Sequence, residues 1–249
     1  MKLEQVLAVR KTKTVYRDGD RCIKVFVESH PKSNILNEAL NVARIEETGI
    51  RIPKLLEVTS IEGRWALVFE YIEGDTLATL MERNPEKKDE YLDRFVGIQM
   101  SILSHTCPML TQIKDKMKRK ISQTTLDSMT CYELHSRLEG TPTENHVCHG
   151  DFNPSNVIIT PEDEAYILDW SHVTQENAAA DAARTYLLFC LHGDEEGGKR
   201  YLDLFCEKSG EPKQSVQNWM PIVAASQSVK GNEEERDFLL RWANVCNWS

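Results

Sequence analysis

Hydrophobic and polar positions alternate over the first third of the chain, a pattern typical of short strands. Thr14–Arg17 and Arg21–Phe26 flank a polar turn, and this arrangement predicts a β-hairpin. Lys54–Val58 and Arg64–Glu70 flank a second turn at Gly63 and predict two further strands. The N-terminal part of the chain is therefore expected to form a small antiparallel sheet.

A helix is expected between the two pairs of strands. Ser33 is a suitable N-cap, and Gly49 followed by Pro53 ends the helical pattern. The apolar side chains of this segment fall at helical spacing, at Leu36, Ala39, Leu40 and Ala43. Glu38 lies within the same predicted helix.

After residue 72 the apolar spacing changes from that of strands to that of helices. Tyr91, Phe95, Ile98 and Ile102 mark one face of a long helix that ends near His105. Further helices are predicted at Ala182–Leu191, with Asp181 as its N-cap, and at Lys199–Cys206 and Glu233–Cys246. We therefore predict a sheet lobe over residues 1–72 and a helical lobe over residues 75–249.

The segment from residue 147 to residue 170 carries the polar side chains best suited to catalysis. Its pattern puts Asp151 and Asn156 on a loop between two short apolar strands, and Asp169 at the end of the next strand. Phosphoryl transfer needs a group that orients the attacking hydroxyl, oxygen ligands for Mg²⁺ and a cation near the phosphates. Asp151 would orient the hydroxyl, Asn156 and Asp169 would bind Mg²⁺, and Lys24 would supply the cation.

Two neighbours of Asp151 have simpler interpretations than catalysis. The ordinary pKa of histidine suits a general base, but His149 is expected to support the loop from within. Cys148 precedes the loop on an apolar strand and is expected to be a core residue. Two interpretations are open for one further set of residues: an aromatic and acidic acceptor pocket, or ordinary core packing with solvated acidic faces. The set comprises Trp219, Trp242, Trp248, Glu195, Glu196, Glu233, Glu234 and Glu235.

The pattern His149-x-Asp151-x-x-x-x-Asn156 with a later Asp169 resembles that of the aminoglycoside phosphotransferase and choline kinase family. The resemblance implies a bilobal, protein-kinase-like α+β fold, with a small antiparallel-sheet N-terminal lobe and a larger helical C-terminal lobe. It also implies that Lys24 pairs with Glu38 to set the phosphates, and that backbone groups of Glu70 and Ile72 bind adenine. The helical lobe would then hold the acceptor.

The chain departs from the pattern of such proteins in two places. The turn at residues 10–14 contains no glycine, so a glycine-rich loop over the phosphates is absent. Asp169 is followed by Trp170-Ser171 rather than by Phe-Gly.

The expected function is Mg²⁺-dependent transfer of the γ-phosphate of ATP or GTP to a hydroxyl of an aminoglycoside, amino alcohol, sugar or related metabolite. A catalytically silent nucleotide-binding scaffold and a nucleotidyltransferase are alternatives on the same residues. A protein kinase is disfavoured, because only eleven residues separate Asp169 from Asp181 and no Ala-Pro-Glu segment follows.

Charge and composition narrow the partners further. Acidic residues outnumber basic ones by 39 to 30, and the net charge of −9 argues against nucleic acid. No apolar run is long enough to suggest a membrane helix. The seven cysteines form no Cys-x-x-Cys pair, which favours reduced thiols and a cytoplasmic protein. The expected partners are a nucleotide and a small-molecule acceptor.

Overall fold

A computed structural model describes Leu3, residues 5–229 and residues 233–243. The chain forms two compact units. The first contains Met1–Arg83 and Pro154–His172, and the second contains Asn84–Asn153 and Val173–Ser249. The lobe boundaries expected at residues 72 and 75 stay a prediction.

The first unit is built on a five-stranded antiparallel sheet with the strand order β1-β2-β3-β5-β4. Its strands are β1 (Gln5–Val9), β2 (Lys13–Asp18), β3 (Arg21–Phe26), β4 (Leu55–Ile61) and β5 (Arg64–Glu70). Both predicted strand pairs are confirmed, while β1 adds a strand that the sequence pattern did not indicate. Helix α1 (Lys32–Glu46) connects β3 to β4.

The two faces of this sheet differ in character. Ile23 and Val25 of β3 pack with Ala66 and Val68 of β5 in a buried apolar cluster. Lys24, which lies between Ile23 and Val25, points to the opposite face because successive strand residues alternate. The alternation of β3 therefore places a lysine on the face that carries no part of this cluster.

Helix α1 differs from its prediction in two respects. It begins after Pro31 and has no side-chain cap, so the assignment of Ser33 as its N-cap is wrong. The buried side chains include Ile35, Ala39 and Val42, whereas those of Leu36 and Leu40 are 41% and 47% exposed. Two apolar stripes are present in the sequence, and the stripe that packs inward is the one that also carries Glu38.

A second, three-stranded antiparallel sheet completes the first unit, with the strand order β6-β8-β9. Its strands are β6 (Asp75–Thr76), β8 (Val157–Ile159) and β9 (Ala165–Ile167), and helix α2 (Leu77–Arg83) follows β6. A 3₁₀ turn, Pro154–Asn156, precedes β8, and another, Trp170–His172, follows β9. The β8–β9 hairpin thus has both polar turns at one end.

The second unit is mainly helical and also contains one antiparallel pair of short strands. The helices are α3 (Lys88–Leu103), α4 (Ile113–Ile121), α5 (Ser128–Gly140), α6 (Ala178–Leu191), α7 (Glu195–Ser209), α8 (Lys213–Ser228) and α9 (Glu233–Ala243). Strand β7 (His146–Cys148) pairs with β10 (Thr174–Glu176).

Most of the helices predicted for this unit are present, but they begin and end at other residues than predicted. On α3, Phe95 and Ile102 are buried as expected. Helix α6 begins earlier than predicted, and its N-cap is Asn177, so the assignment of Asp181 as the cap is wrong. Helix α8 was not predicted, and the last residues of the predicted Glu233–Cys246 helix lie outside the described part of the chain.

An aromatic cluster lies at the centre of the second unit. The rings of Phe95 and Phe152 stack with centroids 4.3 Å apart, and Tyr201 and Phe189 pack around Phe95. Because Phe152 directly follows Asp151, this packing fixes the chain beside that carboxylate. Across the described ranges, none of the helices has the length and apolar character needed to cross a bilayer.

Candidate active site

The β8–β9 hairpin of the first unit carries two of the predicted metal ligands. Asn156 ends the 3₁₀ turn before β8, and Asp169 lies two residues after β9. The N–H of Leu168 donates to the Asn156 carbonyl oxygen at 2.8 Å, which joins the two segments just before Asp169. The antiparallel hairpin therefore brings both residues to the same end of the small sheet.

The backbone of Asp169 is strained. Its φ angle is 62°, in the left-handed region that residues with a side chain rarely occupy. Such conformations persist where the surrounding structure holds them, and they cluster at functional sites. Here the local turn directs the carboxylate toward two lysines of the large sheet.

Lys24 is the centre of a charge cluster in the first unit. Its Nζ lies 2.8 Å from Glu38 Oε1 of α1 and 3.6 Å from Asp169 Oδ1. The second Asp169 oxygen, Oδ2, lies 2.8 Å from Nζ of Lys13, at the start of β2. The structure thus brings together Lys24, Glu38 and Asp169, and it adds Lys13, which the sequence pattern did not identify.

The pKa values in this cluster follow from its charges. Burial by itself lowers the pKa of Lys24, but the carboxylates of Asp169 and Glu38 outweigh this effect and raise it. Burial raises the pKa of Asp169, yet the ammonium groups of Lys24 and Lys13 outweigh it and hold the pKa well below its usual range. The shifted pKa values keep both Lys24 and Asp169 charged at neutral pH.

The oxygen donors of Asn156 and Asp169 fit a hard divalent cation such as Mg²⁺. Asp169 Oδ1 is buried, and within the described residues no group donates a hydrogen bond to it. No cluster of three or more His, Cys, Asp or Glu side chains in the described part could hold a metal alone. This donor set matches an ion that takes its remaining ligands from phosphates and water, as Mg²⁺ does at nucleotide sites.

The end of β5 and the residues that follow it carry the predicted adenine contacts. The Glu70 N–H donates to the Lys54 carbonyl oxygen at 3.0 Å, so Glu70 can offer only its carbonyl oxygen to a base. Within the described residues, no group accepts a hydrogen bond from the Ile72 N–H. One acceptor and one donor, two residues apart, are the groups that the edge of a purine requires.

In the second unit, Asp151 lies on a loop with several internal hydrogen bonds. The N–H of Asp151 donates to His149 Nδ1 at 3.2 Å, and Asn153 Nδ2 donates to the Asp151 carbonyl oxygen at 2.9 Å. His149 is fully buried, which confirms its predicted role as a support for the loop. Cys148 is fully buried as well, as expected for a core residue.

A chain of buried hydrogen bonds anchors this loop to the helices. Tyr201 donates to Gln99 Oε1 at 2.7 Å, and Gln99 Nε2 donates to Asp181 Oδ2 at 2.9 Å. The other oxygen of Asp181 accepts the Gly150 N–H at 2.7 Å. Asp181 therefore holds the loop from inside α6, a different structural role from the predicted cap.

Replacing Asp181 with asparagine is expected to lower the free energy of unfolding by about 1–3 kcal/mol. An amide has one acceptor oxygen, so either Gly150 or Gln99 would face an NH₂ group instead of a carboxylate oxygen. Urea denaturation measures the effect, and Asp115→Asn, on an exposed part of α4, serves as the control. Equal stability of both variants and the wild type would contradict this role.

Arg184 is a second residue that sequence reasoning missed. Its Nη2 lies 3.1 Å from Asp151 Oδ1, and its side chain is only 13% exposed. Burial lowers the pKa of the guanidinium, and the Asp151 carboxylate opposes that effect. A signal was available: Arg184 lies three residues after Asp181 on α6, and residues at this spacing share one helix face.

A cavity of about 660 Å³ lies elsewhere in the second unit. Trp219 lines it together with Glu144, Glu211 and Asn177. Asn177 caps α6 two helical turns before Arg184, so the cavity is a separate feature from the Asp151–Arg184 pair. Trp219 itself is 2% exposed, in agreement with core packing.

The sequence matches the family model described as "Phosphotransferase enzyme family" over residues 7–215. No curated protein matches the sequence. Among solved structures, aminoglycoside-3'-phosphotransferase of type VIII is 18% identical, with a TM-score of 0.69, covering 89% of this chain and 93% of that one.

Two further solved structures are similar along nearly the whole chain. A thermostable mutant of aminoglycoside phosphotransferase APH(4)-Ia, in a ternary complex with AMP-PNP and hygromycin B, is 15% identical with a TM-score of 0.71, covering 97% of this chain and 91% of that one. Choline kinase LicA from Streptococcus pneumoniae is 14% identical with a TM-score of 0.64, covering 96% and 93%. The likeness confirms the predicted α+β, protein-kinase-like fold class.

Proposed function

The chain belongs to the phosphotransferase enzyme family, and from this premise we propose that it transfers the γ-phosphate of ATP or GTP to a hydroxyl of a small molecule. The observation that carries the proposal is the buried cluster in which Lys24 contacts both Glu38 and Asp169. A lysine that pairs with a helix glutamate and lies next to an aspartate is the arrangement with which protein kinases position phosphates and their metal ions.

The nucleotide would bind the first unit. The Glu70 carbonyl oxygen and the Ile72 N–H would bind the base, and the Lys24–Glu38 pair would position the phosphates. The similar APH(4)-Ia structure contains AMP-PNP, which supports a nucleoside triphosphate as the donor.

Asn156 and Asp169 would hold Mg²⁺, which would offset the negative charge of the phosphates. Asp151 would accept a hydrogen bond from the acceptor hydroxyl and orient its oxygen toward the γ-phosphorus. As the new O–P bond forms, the bond from the γ-phosphorus to the β,γ-bridging oxygen breaks and the nucleoside diphosphate leaves. The hydroxyl proton passes to Asp151 and then to solvent.

The acceptor would be an alcohol of a small, polar molecule. The similar solved structures include one with bound hygromycin B and a choline kinase, so aminoglycosides and amino alcohols are the first classes to test. Sugars and nucleosides also carry hydroxyl groups and are the next classes to test.

We also propose a cytoplasmic location, which the six free cysteines from Cys22 to Cys206 support.

The test is Mg²⁺-dependent release of ADP from ATP, measured with each acceptor class in turn, followed by the mass of the product. A gain of one phosphate on the acceptor supports the proposal, while a gain of a nucleotidyl group would replace it with nucleotidyl transfer. Nucleotide binding without turnover on any acceptor would favour the silent scaffold. Absence of nucleotide binding in the presence of Mg²⁺ would overturn the proposal.

Arg184→Lys is expected to lower kcat by about 10-fold and to leave KM for the nucleotide unchanged. The shorter, non-planar ammonium cannot hold the Asp151 carboxylate as the guanidinium does, so the hydroxyl is less well oriented. Steady-state kinetics at saturating acceptor measure the change. Arg200→Lys on the exposed surface of α7 is the matched control, and an unchanged kcat in Arg184→Lys would exclude this positioning role.

A further inference from the structure

From the geometry of the first unit we infer that Lys13 is a second phosphate-binding cation, which Asp169 holds in place until the nucleotide arrives. The inference rests on the proposed function and adds to it a residue that the family pattern does not include. Lys13 follows the glycine-free turn at residues 10–12, and its ammonium lies 2.8 Å from Asp169 Oδ2.

Strand register places Lys13 beside Lys24. In the β2–β3 pair, Lys13 is opposite Phe26, and Val15 is opposite Lys24. Residues directly opposite in an antiparallel pair share one face of the sheet, and so do residues two apart on a strand. Both lysines therefore project from the same face, and both reach the same carboxylate.

The cluster contains equal numbers of positive and negative formal charges. Lys13 and Lys24 carry two positive charges, and Glu38 and Asp169 carry two negative ones. The other oxygen of Asp169, Oδ1, is buried and accepts no hydrogen bond from a described residue, so it is the oxygen open to a divalent cation. A cation there would repel the Lys13 ammonium at Oδ2 and weaken its attraction to the carboxylate, because like charges on two oxygens of one carboxylate lie close together.

A displaced Lys13 needs a new anionic partner, because its side chain is only 13% exposed. The phosphates that accompany the cation supply that partner. Lysine suits such an exchange, since its ammonium is a compact charge on a flexible four-carbon stem and can move several ångströms without a backbone change. A glycine-rich loop would instead offer backbone N–H groups to the phosphates, and this chain has no glycine at residues 10–14.

The test compares the binding of ATP, ADP, AMP and adenosine by isothermal titration calorimetry at saturating Mg²⁺. The variants are Lys13→Met, which keeps most of the apolar stem, and Lys13→Arg, which keeps the charge. Lys11→Met, at an exposed lysine of the same turn, is the matched control. Thermal unfolding of each variant confirms that the protein is folded at the assay temperature.

Lys13→Met is expected to weaken ATP binding by about 10- to 100-fold, the effect of losing a hydrogen bond to a charged group, and to leave adenosine binding unchanged. Lys13→Arg should recover most of the ATP affinity, and Lys11→Met should match the wild type. The affinities for AMP, ADP and ATP show with which added phosphate the variant first binds more weakly than the wild type. That phosphate is the one that Lys13 contacts.

Two results would overturn the inference while leaving the proposed function intact. ATP affinity in Lys13→Met equal to that of the wild type would reduce Lys13 to a static ion-pair partner of Asp169. If Lys13→Met weakened the binding of ATP and of adenosine equally, the role of Lys13 would be to support the fold of the sheet. Failure of the wild type to bind ATP would instead contradict the proposed function itself.

Discussion

Asp151→Asn is expected to lower kcat by about 10²–10⁴-fold and to leave nucleotide affinity unchanged. The amide has nearly the shape of the carboxylate but cannot receive the proton of the attacking hydroxyl. The nucleotide contacts proposed for Lys24, Asn156 and Asp169 do not depend on the Asp151 charge. Turnover of ATP with the best acceptor and calorimetric titration of ATP give the two quantities.

The loop around Asp151 should keep its structure in this variant. Its hydrogen bonds to His149 and Asn153 involve the Asp151 backbone, and Gly150 is held by Asp181. Asp203→Asn, an exposed change of the same kind on α7, controls for loss of one negative charge. If Asp151→Asn kept more than a tenth of wild-type kcat, Asp151 would not be the group that handles the proton, and the mechanism would need another acceptor.

The sequence pattern predicted the parts of the fold that depend on short-range spacing. The β2–β3 hairpin follows from a two-residue turn at Gly19 and Asp20 between apolar segments, and this turn fixes the register that places Lys24. The match to the family pattern then suggested Glu38 as its partner. The distance of 2.8 Å between the two side chains agrees with that suggestion.

The errors arose where tertiary packing decides between local options. Helix α1 contains two apolar stripes, and only packing selects Ile35 and Val42 over Leu36 and Leu40. Asp181 has the residue type of an N-cap, yet it lies inside α6 because Asn177 already caps the helix. Neither choice is encoded in spacing alone.

Lys13 and Arg184 show a different limit. Arg184 lies on a helix face that its spacing from Asp181 makes predictable, whereas Lys13 falls in the predicted turn at residues 10–14, just before the predicted strand. What could not be predicted was their partners, since Asp169 is 156 residues from Lys13 in sequence and Asp151 is 33 residues from Arg184. Contacts over such separations depend on the packed structure.

Lys24→Met is expected to lower the free energy of unfolding by about 3–5 kcal/mol and also to abolish measurable ATP binding. The Glu38 side chain is only 6% exposed, and among the described residues Lys24 is its ion-pair partner, so the variant leaves a buried charge uncompensated. Glu38→Gln should cost less, because Lys24 keeps Asp169 as a partner at 3.6 Å. Urea denaturation measures this order of stability.

The double variant Lys24→Met/Glu38→Leu separates the stability of the pair from its function. Replacing both charges by apolar groups removes the uncompensated carboxylate, so unfolding stability should return close to the wild-type value. ATP binding should not return, since the cation that contacts the phosphates is still missing. Recovery of ATP affinity together with stability would contradict the role of Lys24 and would mean that the pair serves only to join α1 to the sheet.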